Sequence, residues 1–85
     1  DLPGAVAYYR RGLGYSTGHG ALANNLATAL GELGCARAAQ ALLEPVAATH
    51  STDTQWAPVF ATTLAELAMQ RGSDAPTCDR MGAET

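Results

Sequence analysis

The chain has 85 residues, 47% of them hydrophobic but only 6% aromatic, and carries a formal charge of −3. That length makes one domain near the size where a single core is barely sufficient, so some additional stabilisation is expected. Five arginines and no lysine in an acidic chain argue against a grip on phosphate backbones, and no run approaches the ~18 apolar residues that span a bilayer, so neither nucleic acid nor a membrane is expected as a partner.

Taken in order, residues 1–13 place Leu2, Ala5, Val6, Tyr9 and Leu13 on one helical face, with Asp1 as N-cap and Pro3 in the tolerant first turn. Arg10-Arg11 after Tyr8-Tyr9 reads as a solvated helix end. Gly12, Gly14, Gly18 and Gly20 then break the pattern. Residues 21–34, ALANNLATALGELG, form the clearest helix: Leu22, Leu26, Leu30 and Leu33 recur on one stripe. Gly34 ends it, since glycine accepts the left-handed conformation common just past a helix. Residues 36–49 form the next helix, with Ala39, Leu42, Leu43 and Val46 inward. Pro45 inside it removes a backbone donor, which predicts a kink near residues 41–44 or an early end. Thr52 with Gln55 resembles a capping box for a last helix that starts near Thr54, its first turn distorted by Pro58. Trp56, Val59, Phe60, Thr63, Leu64 and Leu67 carry its apolar series to about Arg71, whose charge suits the helix end. The domain is therefore expected over residues 1–71, with 72–85 a loose polar tail that makes at most a turn or two over 75–81 behind Ser73 and Asp74.

Cys35 and Cys78 are too few for a disulfide framework and lack the spacing of a zinc site. Buried thiols, and with them a soluble cytoplasmic protein, are the default expectation. The alternative is a Cys35–Cys78 bridge that pins the tail, which would move the protein to an oxidising compartment. No leader is visible, and the start at Asp1 without methionine suggests a trimmed or excised chain.

The chain also repeats itself. At an offset of 34 residues Trp56, Phe60, Leu64 and Leu67 stand where the four leucines stand, and Ala23/Ala57, Ala27/Ala61, Thr28/Thr62 and Glu32/Glu66 coincide. Ala5/Ala39, Tyr8/Leu42 and Tyr9/Leu43 extend the match to the outer helices. In this period and in the run Ala23, Leu26, Ala27, Leu30, Gly34, Ala39 and Leu43, the chain resembles the tetratricopeptide repeat, whose unit is an antiparallel helix pair of that length. It departs from the family where Thr17 and Ser51 replace the usual proline, and where Pro45 and Pro58 interrupt helices. The resemblance implies an all-α fold: antiparallel helical hairpins in a right-handed array of about four helices. Such units bury their stripes only by stacking, so the bare flanks of the first and last helices would be covered by another copy, by a partner or by the rest of a larger chain.

The resemblance also implies where a partner would lie. The inner wall of such an array is lined by the first helix of each pair, here Ala21, Asn24, Asn25, Thr28 and Glu32, then Gln55, Pro58, Val59, Thr62 and Glu66. Asn25 stands where some members grip a peptide backbone or terminal carboxylate, but the lysines and arginines of a carboxylate clamp are missing. With Glu32 and Glu66 repeated, the wall suits a neutral or basic protein or peptide segment. Ordinary repeat composition is the favoured explanation of Asn24-Asn25.

Catalytic patterns are weak. His19, His50 and Asp53 are scattered over connectors and make a poor metal set. The glycines of GLGYSTGHG follow no strand and lack the P-loop lysine, and Ser16, Thr17 and His19 have no orienting acid. Glu44 and Glu66 fall on different helices. The leading expectation is thus a non-catalytic, cofactor-free interaction module that forms a homo-oligomer. The rivals are a small helical bundle, enzyme or ligand carrier, with a pocket lined by Tyr9, Tyr15, His19, His50 and Trp56, and a scaffolding fragment of a larger enzyme.

Overall fold

The computed structural model describes residue 11, residues 20–76 and residue 78. Arg11 is helical and exposed; the rest of the helix expected over 1–13, and the loop carrying Tyr15 and His19, lie outside the described residues. What is described is all-α. Helices α1 (Gly20–Glu32), α2 (Ala36–Thr49) and α3 (Ala57–Met69) pack against one another, and no strand occurs among the described residues.

Helix α1 is the one most enclosed by its neighbours. Ala23, Leu26, Ala27 and Leu30 have no exposed surface, while Leu22 and Leu33 at the ends of the stripe are half-buried. The alternation of alanine and leucine brings the neighbouring helices close while keeping enough bulk to fill the space between them. The helix stops as its glycine predicts. Gly34 has φ +82°, the Cys35 N–H donates to the Leu30 carbonyl at 2.8 Å, and the Gly34 N–H donates to the Gly31 carbonyl at 3.1 Å. This pair of bonds is the Schellman motif, which satisfies carbonyls the helix end would otherwise orphan. It reverses the chain within residues 33–35 and delivers Cys35 directly to the start of α2.

In α2, Ala39 and Leu43 are fully buried, with Leu42 and Val46 packed partly against the same core. Of the two outcomes expected at Pro45, a kink or an early end, the early end does not occur: the helix runs through it to Thr49. Pro45 and Ala41 both lie on the exposed face, so the Ala41 carbonyl that loses its donor is free to bond water. At the far end Thr49 Oγ1 and His50 Nδ1 approach the Val46 carbonyl at 2.7 and 2.9 Å. Thr49 Oγ1 and His50 Nδ1 lie 3.0 Å from each other, so the three groups form one cluster at the helix end.

The regular part of α3 begins at Ala57, three residues after the expected start, with residues 54–56 in a turn. Asp53, and not Thr52, supplies the cap: its Oδ1 accepts the N–H groups of Gln55 and Trp56 at 2.9 and 3.2 Å. The Asp53 carbonyl accepts from Ala57 N–H at 2.9 Å and the Trp56 carbonyl from Phe60 N–H at 3.0 Å. Pro58 has no N–H to give to Thr54, and that gap in the ladder is why the first turn is irregular. Phe60 and Leu67 are buried, but Ala61, Ala65 and Ala68 are exposed, as are Val59 and Met69, at 37% and 78%.

Two corrections concern the ends of the helices. The cysteines are not free thiols: Cys35 and Cys78 are bridged, and both are buried. The cation at the end of α3 is not Arg71, which lies beyond the last turn and is exposed, but Arg37. Its Nη2 donates to the carbonyls of Leu67 at 2.9 Å and Gln70 at 2.6 Å. In return, Asp74 reaches back to α2, where its two carboxylate oxygens accept the N–H groups of Arg37 at 2.7 Å and Ala38 at 2.8 Å. Cys35, at the N-cap position, makes no side-chain cap bond of its own, so Asp74 performs that task from 37 residues away. In the tail Cys78 N–H also closes a turn on the Ala75 carbonyl at 3.0 Å, and residues 77 and 79–85 lie outside the described residues.

Leu26→Asp should abolish folding, because an unpaired carboxylate in this core costs several kcal/mol against a total stability of about 5–15 kcal/mol. Urea titration followed by circular dichroism checks it, and an unchanged midpoint would refute the core position. By the same measurement Asp74→Ala should lower stability by about 1 kcal/mol, the usual worth of a helix cap.

Candidate functional site

Helices α1 and α3 meet along a line whose contacts advance together on both. A Cβ placed on Gly20 would lie 3.0 Å from Phe60 Cζ. Further along, Thr63 Oγ1 donates to Asn24 Oδ1 at 2.6 Å. At the other end a Cβ on Gly31 would lie 2.7 Å from Leu67 Cδ2 and 3.3 Å from Gln70 Nε2. The two glycines therefore set how closely the helices approach, and the Asn24–Thr63 bond fixes their register between those points.

Past this bond, over the Gly31–Leu67 contact, lies a half-open groove of about 130 Å³ lined by Thr28, Gly31, Glu32, Thr63, Glu66, Leu67 and Gln70. Its floor is Gly31 and the buried Leu67, and its rim carries two carboxylates, two hydroxyls and an amide. Thr28 Oγ1 donates to the Asn24 carbonyl at 2.9 Å, so its lone pairs still face outward as acceptors. A rim of this kind offers negative charge and acceptors with little donor capacity beyond Gln70, which suits a cationic, donor-rich group.

Of the residues expected to face a partner, the groove brings together Thr28, Glu32 and Glu66. Asn24 is half-buried and engaged with Thr63 as a clip between helices. Asn25 is exposed on α1, and Val59 is exposed on α3. Thr62 is exposed with its hydroxyl returned to the Pro58 carbonyl at 3.0 Å, and Gln55 is exposed beside Asp53. Thr63, Gly31 and Gln70 were not in the expected set. Equivalent positions of two repeats point the same way, whereas a groove between side-by-side helices is built from the edges that face each other. The α3 wall is accordingly displaced by about one residue from the repeat-equivalent positions. The interior glycine of α1 is the one signal in the sequence that marks the close approach.

The rings of His50, Trp56 and Phe60 gather at the opposite end. Phe60 stacks on Trp56 with ring centres 5.9 Å apart and meets the His50 ring edge-on at 5.5 Å. Phe60 fills the space between those rings, which makes this a packed corner. Tyr9, Tyr15 and His19, the other expected pocket residues, lie outside the described residues. Among the described residues no group of three or more His, Cys, Asp or Glu could hold a metal ion, and no helix is long and apolar enough to cross a membrane. No family model, curated protein or solved structure matches the chain.

Gly31→Val should destabilise the protein by about 1–3 kcal/mol, because a branched side chain there overpacks against Leu67 and forces α3 away. Gly34→Ala has open space around it and strains only the left-handed backbone, so its cost should be about 1 kcal/mol. Chemical denaturation of the two variants, with equal small losses, would show that α1 and α3 are not in contact at Gly31.

Proposed function

We propose that the chain is a non-catalytic interaction module of tetratricopeptide-like type, made of antiparallel helical hairpins in a right-handed array. It binds a protein or peptide segment through an arginine or lysine side chain seated in the groove between α1 and α3. The observation that carries this is the pairing of Glu32 and Glu66, which occupy the same position of the 34-residue repeat, on the rim of one groove. Bringing a cation between two like charges relieves their repulsion as well as adding attraction, and the neighbouring acceptors complete its hydrogen bonds.

The order of contacts supports the array. They advance together along α1 and α3, as for the first helices of successive units. Along α2 and α3 they run in opposite senses: Arg37 at the start of α2 meets Leu67 and Gln70, and His50 at its end meets Phe60. The matched stripes support it too, since Leu26 and Phe60 are both buried at equivalent positions. Self-association through the open flank of α3 is part of the proposal, because Ala61, Ala65, Ala68 and Met69 have no cover there. The Cys35–Cys78 bridge favours an oxidising compartment over the cytoplasm.

Titration with fluorescent peptides that are alike except for arginine, neutral or glutamate residues tests the binding. The arginine peptide should bind best and weaken with added salt, and Glu32→Gln and Glu66→Gln should each cost roughly threefold in affinity. Equal binding of all three peptides would contradict the role of the carboxylates. Light scattering across a hundredfold range of concentration should give a mass above that of one chain, and Ala65→Glu should return it to a monomer; a monomer at every concentration would remove self-association.

A further inference from the structure

The segment after α3 is held at one small region. Cys78 is bonded to Cys35, Asp74 caps Arg37 and Ala38, and Arg37 in turn holds the carbonyls of Leu67 and Gln70. Cys35, Arg37 and Ala38 therefore hold the segment that follows Met69 at three points, Gln70, Asp74 and Cys78. Leu67 and Gln70 are also walls of the groove. One covalent bond, a helix cap and a guanidinium nitrogen shared between two carbonyls thus act in series on the binding site.

We propose that the Cys35–Cys78 bond is a redox latch: while it is closed the strap is held down and the groove wall at Leu67 and Gln70 is fixed, and when it is reduced the strap lifts and the wall loosens. The hydrogen bonds of Asp74 are made across a 37-residue separation. Without the cross-link their partner must be recruited from a free chain end, at an entropic cost that the bond otherwise removes in advance. Once Asp74 leaves, the Arg37 and Ala38 N–H groups are the uncapped first turn of α2, and Arg37 loses the neighbour that orders its backbone. Reduction needs a dithiol as electron donor. One thiolate of the dithiol attacks a bridge sulfur and releases the other cysteine as a thiolate, which takes up a proton. The second dithiol sulfur then displaces the remaining cysteine, so that two thiols form on the protein and the dithiol leaves as a disulfide. Two electrons and two protons pass to the protein.

The latch itself is independent of what the groove binds; its effect on affinity rests on the peptide-binding proposal above. Amide hydrogen exchange on the whole chain, before and after reduction with dithiothreitol, tests the latch without any ligand. We expect exchange at Arg37 and Ala38 to quicken roughly tenfold on reduction, the consequence of losing a cap, with little change at Leu26 and Leu30. The Cys35→Ser, Cys78→Ser double variant should reproduce the reduced pattern without reductant. Unchanged exchange at Arg37 and Ala38 would overturn the latch, and so would equal acceleration at every amide, since the bond would then be a staple of the whole fold. If oxidised protein binds the arginine peptide, reduction should weaken that binding severalfold. If it binds no peptide while the exchange pattern holds, the binding proposal fails and the latch stands.

Discussion

The structure depends on the exchange of end groups between α2 and α3. A helix presents unsatisfied N–H groups at its start and carbonyls at its finish, and a small helical domain has few spare residues with which to satisfy them. Here one position serves both ends. Arg37 gives its guanidinium to the end of α3 while its own N–H, with that of Ala38, receives the carboxylate of Asp74 from just beyond α3. Positive charge at a C-terminus and negative charge at an N-terminus are each favoured by the helix dipoles. The disulfide then ties the same corner covalently.

That corner explains how a core poor in bulky side chains holds together. Among the described residues the fully buried large side chains are few, chiefly Phe60, Leu26, Leu30 and Leu43. Alanines at 23, 27 and 39 and glycines at 20 and 31 let the helices approach closely, which raises contact without adding volume. Close approach is demanding, however, because a single methyl at Gly31 meets Leu67. The price of thin packing is therefore geometric precision at the helix ends, where the hydrogen bonds and the cross-link act. The groove lies over the Gly31–Leu67 contact, beside the end of α3 that this corner holds.

Much of this was legible in the amino-acid order. The 3.6-residue spacing of Leu22, Leu26, Leu30 and Leu33 located α1, Gly34 located its end, and the limits of α2 follow from Cys35 and the turn at His50. Local rules are sufficient there because the determining groups lie within one turn of each other. The long-range pairings were not legible. Asp74 looked like a cap for its own neighbours, and nothing nearby in sequence announces that it serves a helix 37 residues earlier. Arg71 looked well placed for the α3 dipole, yet Arg37 reaches the carbonyls because the fold brings the start of α2 beside them. The cysteine pair falls in the same class: a separation of 43 residues gives no geometric reason to join them until the tail is seen to turn back. For the groove, Thr28, Glu32 and Glu66 followed from the repeat, whereas Thr63 and Gln70 required knowing which edges of the two helices face each other.

The proposed binding role and the proposed latch both assume that the corner is closed. Its covalent member can be examined most directly. Protein purified without reductant would be unfolded in guanidinium chloride, treated with iodoacetamide and weighed intact by mass spectrometry. An unmodified mass, with two adducts appearing only after prior reduction, is the predicted result. Two adducts without reduction would mean that Cys35 and Cys78 are free thiols, and the account of the corner built on their bond would be wrong.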